Sequence, residues 1–219
     1  MGGGHEEDGA RLSLRERKKL LTRQALIDAA EAMFAERGFD GVTVAEIADA
    51  VNVATKTVFV YFPTKEDLVF QGEDEVLRSL VDGIRDRPTG TTPLDAVVDV
   101  LSTSMTASPA GAVAELERLH RIVGDSPGLH ARMRLMWERF EQAVAAELAA
   151  ETGVPPHAPQ PRIAAAQLVM IYRTMASPEV MAYIRSHPKP QRRKAFSDWL
   201  EAARDMTGHG IGDYARREN

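Results

Sequence analysis

Thr55, Lys56 and Thr57 are side chains of the kinds that read DNA base edges. A lysine ammonium donates to O6 and N7 of guanine, and a threonine methyl can meet the methyl of thymine. Thr43, Tyr61 and Lys65 flank this run at helix ends or a turn further on, where a hydroxyl or an ammonium reaches backbone phosphate. Upstream, Arg11, Arg15, Arg17, Lys18, Lys19 and Arg23 stand against Glu16 alone, a local charge of +5 in a chain whose net charge is −5. Of these, Arg15, Lys18 and Lys19 are expected at phosphates. Overall acidity argues against indiscriminate nucleic-acid binding, and the solvated face of a helix would carry the same cations. Their place beside the reading run favours phosphate neutralisation.

Other chemistry is harder to find. The sequence has no phosphate-binding glycine loop, no His-Glu-x-x-His and no nucleophile elbow. His120, His130, His157, His187 and His209 have no ligand spacing, and there is no cysteine for a disulfide, a thiolate zinc site or a thiol sensor. No catalytic residue, metal or cofactor is therefore expected. The 219 residues are 44% hydrophobic, enough for a real core. No run approaches 18 apolar residues, and the start lacks the apolar stretch of a signal peptide. The expectation is a cytoplasmic protein with no membrane partner.

The elements that position the reading run are legible around it. Thr43 and Glu46 form a capping box that opens a helix with Val44, Ile47, Ala48 and Val51 on its apolar face. Asn52 falls at the turn, where left-handed backbone is needed. A second helix over about 54–61 turns Val58 and Phe62 inward and leaves Thr55, Lys56, Thr57 and Tyr61 outside. Helix, tight turn and polar-edged second helix form the helix-turn-helix plan. Before it, residues 14–37 read as a long helix with Leu26, Ile27, Ala30, Met33 and Phe34 buried, ended by Gly38, after which Phe39 returns to the core. After it, Pro63 stops the chain and Thr64 caps a fourth helix expected to continue to about residue 86.

Beyond residue 86 the pattern stays helical: about 94–107, 112–123, 129–150, 162–176, 179–186 and 191–206, separated by Pro- and Gly-rich breaks. No strand signal appears, so the fold is expected to be all-α. Met105, His120, Met133, Met136, Trp137, Phe140, Met170 and Tyr172 are candidates to line a pocket. Methionine and aromatic side chains suit an adaptable apolar site, and ordinary core packing is the alternative. Met170, Phe196, Trp199, Leu200 and Ala203 are candidates for a dimer interface; the alternative is that the last helices close the chain's own core.

A resemblance enters on residues 57–68, T-V-F-V-Y-F-P-T-K-E-D-L. The run resembles the TetR-like bacterial repressors, whose usual pattern is T-L-Y-x-Y-F-x-S-K-E-x-L. Residues 34–48, F-A-E-R-G-F-D-G-V-T-V-A-E-I-A, match the same family, and the likeness covers about 22–68. Asn52 departs from the usual turn glycine and Ala54 from the usual capping serine, which forfeits about 1 kcal/mol unless Thr55 caps in its place. Phe59 replaces a tyrosine whose hydroxyl often reaches DNA in the family. Val44 stands where some members place a base-reading arginine. Phe59 and Val44 therefore join the DNA-facing set with apolar contact only, and the resemblance makes Tyr61 and Lys65 backbone contacts.

The resemblance implies an N-terminal three-helix helix-turn-helix DNA-binding domain joined to a larger helical ligand-binding and dimerisation domain. The terminal helices of two subunits would form a four-helix interface. The expected organisation is a disordered tail over 1–10, the DNA-binding domain over 11–64, a connecting helix over 65–86, the effector-binding and dimerisation domain over 87–206, and a flexible tail over 207–219. The implied function is a homodimeric regulator of transcription that binds double-stranded operator DNA, a repressor released by a small apolar or amphipathic effector. The alternatives are a helical small-molecule-binding protein or enzyme with a helix-turn-helix that does not bind DNA, and sequence-independent DNA packaging.

Overall fold

The computed structural model describes residues 13–107, 109–211 and 216, with side chains over the same span except 105–115 and 211. The expected tail over 1–10, residues 212–215 and 217–219 of the expected tail over 207–219, and the Met105 side chain lie outside the described residues. Ten α-helices and two 3-10 turns make up the regular structure, with no strand among the described residues. The chain divides into two compact units, Met1–Phe70 and Gln71–Asn219.

The first unit is built on α1 (Leu14–Arg37), whose Ser13 and Glu16 form a capping box at its start. Leu26, Ile27, Ala30 and Phe34 recur at helical spacing and are buried, while everything from Ser13 to Leu21 is exposed. Gly38 ends the helix at φ +73°, ψ 162°, a region open to glycine. Phe39 then turns back so that its ring lies 5.2 Å from that of Phe34. The next two helices, α2 (Val44–Ala50) and α3 (Thr55–Tyr61), bury Ile47, Ala48, Val58 and the following Phe62. Asn52 sits between them at φ 57°, the left-handed geometry the turn requires.

Two boundaries differ from the sequence expectation. Thr55 does not cap α3: Ala54 is the cap residue, without a side-chain hydrogen bond. The single helix expected over 65–86 is two pieces, a 3-10 turn at Glu66–Leu68 and α4 (Glu73–Arg85), with Gly72 capping the second. Leu68, Val69 and Phe70 are all buried.

The second unit contains α4, α5 (Pro93–Ala107), α6 (Pro109–Val123), α7 (Pro127–Thr152), α8 (Pro159–Met175), α9 (Pro178–Ser186) and α10 (Arg192–Ile211). Prolines that read as breaks in the sequence are the first residues of five of these helices. A missing N–H costs nothing there, because first-turn N–H groups have no helical partner. Helices α7 and α8 pack along each other, burying Leu129, Met136, Phe140, Val144 and Leu148 of one and Ala164, Ala165, Leu168, Ile171 and Met175 of the other. Helix α4 lies between α5 and α7 and approaches α5 closely at Gly83, where an added Cβ would stand 2.4 Å from Val100 Cγ2. Helix α10 runs on to Ile211, past the expected end near residue 206.

Ion pairs of differing burial join α4 and the residues just after it to α7 at both ends. Glu73 accepts from Arg132 at 2.5 Å and Arg139 at 2.9 Å, and Arg139 also holds Asp74 at 2.6 Å. At the far end Arg85 pairs with Glu147, and the buried Arg87 is bidentate on Glu151 while donating to the Ile84 carbonyl. Asp74 and then Glu73 raise the Arg139 pKa, and Glu147 raises that of Arg85.

Candidate nucleic-acid interface

The helix-turn-helix presents one continuous outer face. Thr55, Lys56, Phe59 and Val60 of α3 are exposed, at the i, i+1, i+4 and i+5 spacing that puts four side chains on one side of a helix. Val58 and Phe62 point the other way into the core, which fixes the rotation of α3. Thr57, Tyr61 and Val44 are half-buried at the edges of this face. Val60 was not among the residues expected from the sequence; its spacing from Thr55 and Lys56 is the signal that would have found it.

Thr43 makes the predicted box with Glu46: the Glu46 amide donates to the Thr43 hydroxyl, and the Thr43 amide and hydroxyl donate to the Glu46 carboxylate at 2.7 and 2.8 Å. Arg37 of α1 also donates to that carboxylate at 2.7 Å, a contact the sequence did not disclose. The Arg37 hydrogen bond and then the Thr43 amide and hydroxyl hold the Glu46 pKa down at about 2. The start of α2 is thereby tied to the end of α1.

The basic residues separate into two groups. Arg15, Lys18 and Lys19 lie on the exposed opening turns of α1. Arg23, one turn further in, lies over the Phe62 ring at 5.1 Å from its centroid. Lys65, expected at a phosphate, is directed inward. Its Nζ donates to the Val42 carbonyl at 2.7 Å and lies 4.0 Å from the centroid of the Phe39 ring. Placement at the head of a 3-10 turn, in place of the first turn of a long helix, aims its stem back across the unit.

A family model described as "Bacterial regulatory proteins, tetR family" matches residues 26–71, the end of the first unit that carries this interface. This segment is TetR-like. The chain is 31% identical over 146 residues to the HTH-type transcriptional regulator TcmR of Streptomyces glaucescens, covering 64% of this chain and 65% of that protein. Over 62 residues it is 39% identical to the HTH-type transcriptional repressor KstR2 of Rhodococcus jostii, 28% of each. The chain thus spans less than two thirds of these curated relatives. In fold the chain is similar to NalD of Pseudomonas aeruginosa, the secondary repressor of the MexAB-OprM multidrug efflux pump. The TM-score is 0.54 at 19% identity, over 85% of this chain and 95% of that one.

The second unit gathers some of the expected pocket residues and disperses others. Trp137 meets Phe140 edge-on at 5.5 Å and Tyr172 at 6.4 Å, joining α7 to α8. Burial pushes the Tyr172 pKa up to about 12. His120 reaches the end of α8, one turn beyond Tyr172, where burial lowers its pKa against the opposing effect of a hydrogen bond to the Ala176 backbone. Met136 and Phe140 are buried, and Met133 and Trp137 are half-buried. Met170 does not line this site. It is 44% exposed and lies about 200° around α8 from Tyr172.

The structure also contains an open groove of about 480 Å³ between α4 and α5, walled by Ser79, Asp86, Asp99 and Thr103 over Gly83 and Val100. The sequence expectation missed it because it arises from two helices meeting at a glycine. Among the described residues no cluster of three metal-ligating side chains occurs.

The terminal helices require a further correction. Phe196 and Leu200 are buried in the chain's own core and cannot meet a second chain, while Trp199 and Ala203 are half-buried. The exposed apolar residues are Ile163 and Met170 on α8 and Met206 on α10, the last 83% exposed. They share one region, because Gly210 stands against Gln167: a Cβ there would lie 3.6 Å from Gln167 Oε1. Met206 is one turn before Gly210, and Ile163 and Met170 are one turn to either side of Gln167. No described helix is long and apolar enough to cross a membrane.

Proposed function

We propose that the chain is a DNA-binding regulator of transcription, a repressor that acts as a homodimer on double-stranded operator DNA and is released by a small apolar or amphipathic effector. The observation that carries this reading is the outer face of α3, where Thr55 and Lys56 stand exposed beside Phe59 and Val60 within the segment matched by the family model. Lys56 donates to a guanine edge; Phe59 and Val60 offer apolar contact, which suits thymine methyls. Arg15, Lys18 and Lys19 supply phosphate neutralisation from α1. Thr43 and Tyr61 are the remaining phosphate contacts. TcmR and KstR2, to which the chain is similar, are a transcriptional regulator and a transcriptional repressor, which supports the same reading over an enzymatic one.

Two features of the second unit support the rest. The Trp137, Phe140 and Tyr172 cluster, with His120 at its end, is an apolar site with few polar groups, the usual composition of a small-molecule pocket. The region of Ile163, Met170 and Met206 is an exposed apolar face on two neighbouring helices, suited to a symmetric contact with a second copy.

Footprinting on the DNA flanking its own gene tests the main reading, followed by a salt-titrated binding series with Lys56→Ala on the footprinted and a scrambled duplex. Lys56→Ala is expected to lose about 1–3 kcal/mol on the footprinted duplex and to relax preference at one base position. Equal losses on both duplexes would remove Lys56 from base reading. Absence of any footprint, with equal affinity for both duplexes, would overturn the regulator.

A further inference from the structure

The Tyr172 side chain is walled in by the helices around it, and its hydroxyl is unmet. Burial alone pushes its pKa up to about 12, with no hydrogen bond opposing or adding to that effect. Part of its surface nevertheless stays open to water, as does part of Trp137, while Phe140 and Leu168 beside them are fully closed off. In a close-packed interior no such surface would remain, so these two rings border a local opening at the seam of α7 and α8.

Both rings carry a polar end. Neither the Tyr172 hydroxyl nor the Trp137 indole N–H has a hydrogen-bond partner among the described residues. Such groups, once enclosed, are ordinarily hydrogen-bonded, because a stranded donor loses its water without compensation. The ring centres are 6.4 Å apart with planes inclined at 51°, so the two polar ends belong to one aromatic site. Phe140 meets the indole edge-on at 5.5 Å and fixes its tilt.

The chemistry of the two groups restricts what can satisfy them. An indole N–H only donates, and a phenol that stays protonated at every ordinary pH donates as well. Both therefore require an acceptor. Neither can balance a formal charge, so a carboxylate or an ammonium brought against them would lose hydration without a counter-charge from either ring. Aromatic faces meet flat apolar bodies by offset stacking.

We propose that this site selects ligands that are flat, uncharged and carry a carbonyl oxygen, with Tyr172 Oη and Trp137 Nε1 as the donors that choose them. A hydrocarbon of the same shape would fill the opening and leave both donors stranded. A site with built-in donors discriminates against the analogue that lacks the acceptor. The proposal deepens the effector reading: it rests on that reading for any consequence on DNA, and on the free protein for its geometry.

The test uses fluorenone and fluorene, which differ in one carbonyl, on the DNA-free protein. Binding is followed by quenching of tryptophan fluorescence in a Trp199→Phe background, where Trp137 gives the signal. Fluorenone is expected to bind about tenfold more tightly than fluorene, the order set by hydrogen bonds to stranded donors. Tyr172→Phe is expected to reduce that ratio to about threefold by weakening the ketone alone. Equal affinities in the parent protein, or no binding of either probe, would overturn the proposal. So would a Tyr172→Phe variant that weakens both probes equally, since Tyr172 would then be a wall and not a donor.

Should Trp199→Phe not fold, heteronuclear NMR on the wild type decides. The Trp137 indole N–H, identified by its proximity to the Phe140 ring, should move downfield with fluorenone and not with fluorene; identical responses to both would refute its role as a donor. Adding fluorenone to the complex with the footprinted duplex tests the effector reading separately. If the ketone preference holds and the duplex stays bound, release by such a ligand fails while the donors stand as assigned. If no footprint exists, the regulator fails and the probe ratio still decides the site.

Discussion

Glu73 lies at the head of α4 with its side chain only 4% exposed, held by two arginines of α7 that differ in burial, Arg132 at 25% and Arg139 at 51% exposed. Glu73→Gln keeps the shape and removes the charge. A carboxylate accepts from both guanidinium groups, whereas an amide has one accepting oxygen and turns an NH₂ toward a group that only donates. Breaking a buried pair from one side costs about 3–5 kcal/mol. The lower end applies here because Arg139 is half in water and keeps Asp74, so about 3 kcal/mol is expected. Arg132→Ala should cost about 2 kcal/mol as a charge-assisted hydrogen bond, and Arg139→Ala less than about 1 kcal/mol because solvent screens it. For a unit of this size each kcal/mol moves Tm by about 2–4 °C, giving roughly 6–12 °C for Glu73→Gln. Both tryptophans, Trp137 and Trp199, lie in this unit, so their fluorescence follows its unfolding without signal from the other. A Glu73→Gln shift below about 2 °C, or an Arg139→Ala loss as large as that of Arg132→Ala, would refute the reasoning that burial ranks these contacts.

Gly83→Ala is expected to lower the Tm of the same unit, since about 1–3 kcal/mol of overpacking against Val100 outweighs the roughly 1 kcal/mol that alanine gains in a helix; the double variant with Val100→Ala should recover part of the loss, and a raised Tm for Gly83→Ala alone would contradict the close approach. The Glu46 pKa is depressed to about 2 from an ordinary 4.5, so its contribution is present above pH 4.5 and is lost as pH falls toward 2. Protection of the Thr43 and Glu46 amides should therefore decline over that window in the wild type and stay flat in Glu46→Gln, and parallel curves would count against the Arg37–Glu46 tie. Met206→Glu places a charge on the exposed apolar face of α10 and should shift sedimentation to monomer, whereas an unchanged dimer would move the interface elsewhere.

The helices and their order were legible because the forces that make them are short in sequence. The Thr43–Glu46 box, the left-handed turn at Asn52 and the stripe of Leu26, Ile27, Ala30 and Phe34 each depend on residues a turn or so apart, and all three appear in the structure as read. The proline-led helix starts were misplaced by one to three residues, because a proline that ends one segment is also favoured as the first residue of the next. The interruption after Leu68 was missed, because consecutive apolar residues fit a buried helix as well as a break in one.

The reading face was half legible. Thr55, Lys56 and Phe59 could be placed from spacing and resemblance, and Val60 was passed over because its side chain is apolar, although its spacing puts it on the same face. Position and resemblance made Lys65 a phosphate contact, and residue type made Met170 a pocket residue. The structure turns Lys65 inward onto a carbonyl 23 residues away and leaves Met170 on the surface.

The sequence by itself determined the helical class, the helix-turn-helix and the Thr43 cap that opens it, since each rests on backbone preferences and contacts within a turn or two. Only the tertiary structure decided which charges are paired and which apolar residues remain outside. Glu73 finds Arg132 across 59 residues and Arg87 finds Glu151 across 64. Such pairs are selected by the closing of chain segments upon one another, and the free energy that selects them belongs to the packed helices as a whole, so no local pattern in the chain announces it.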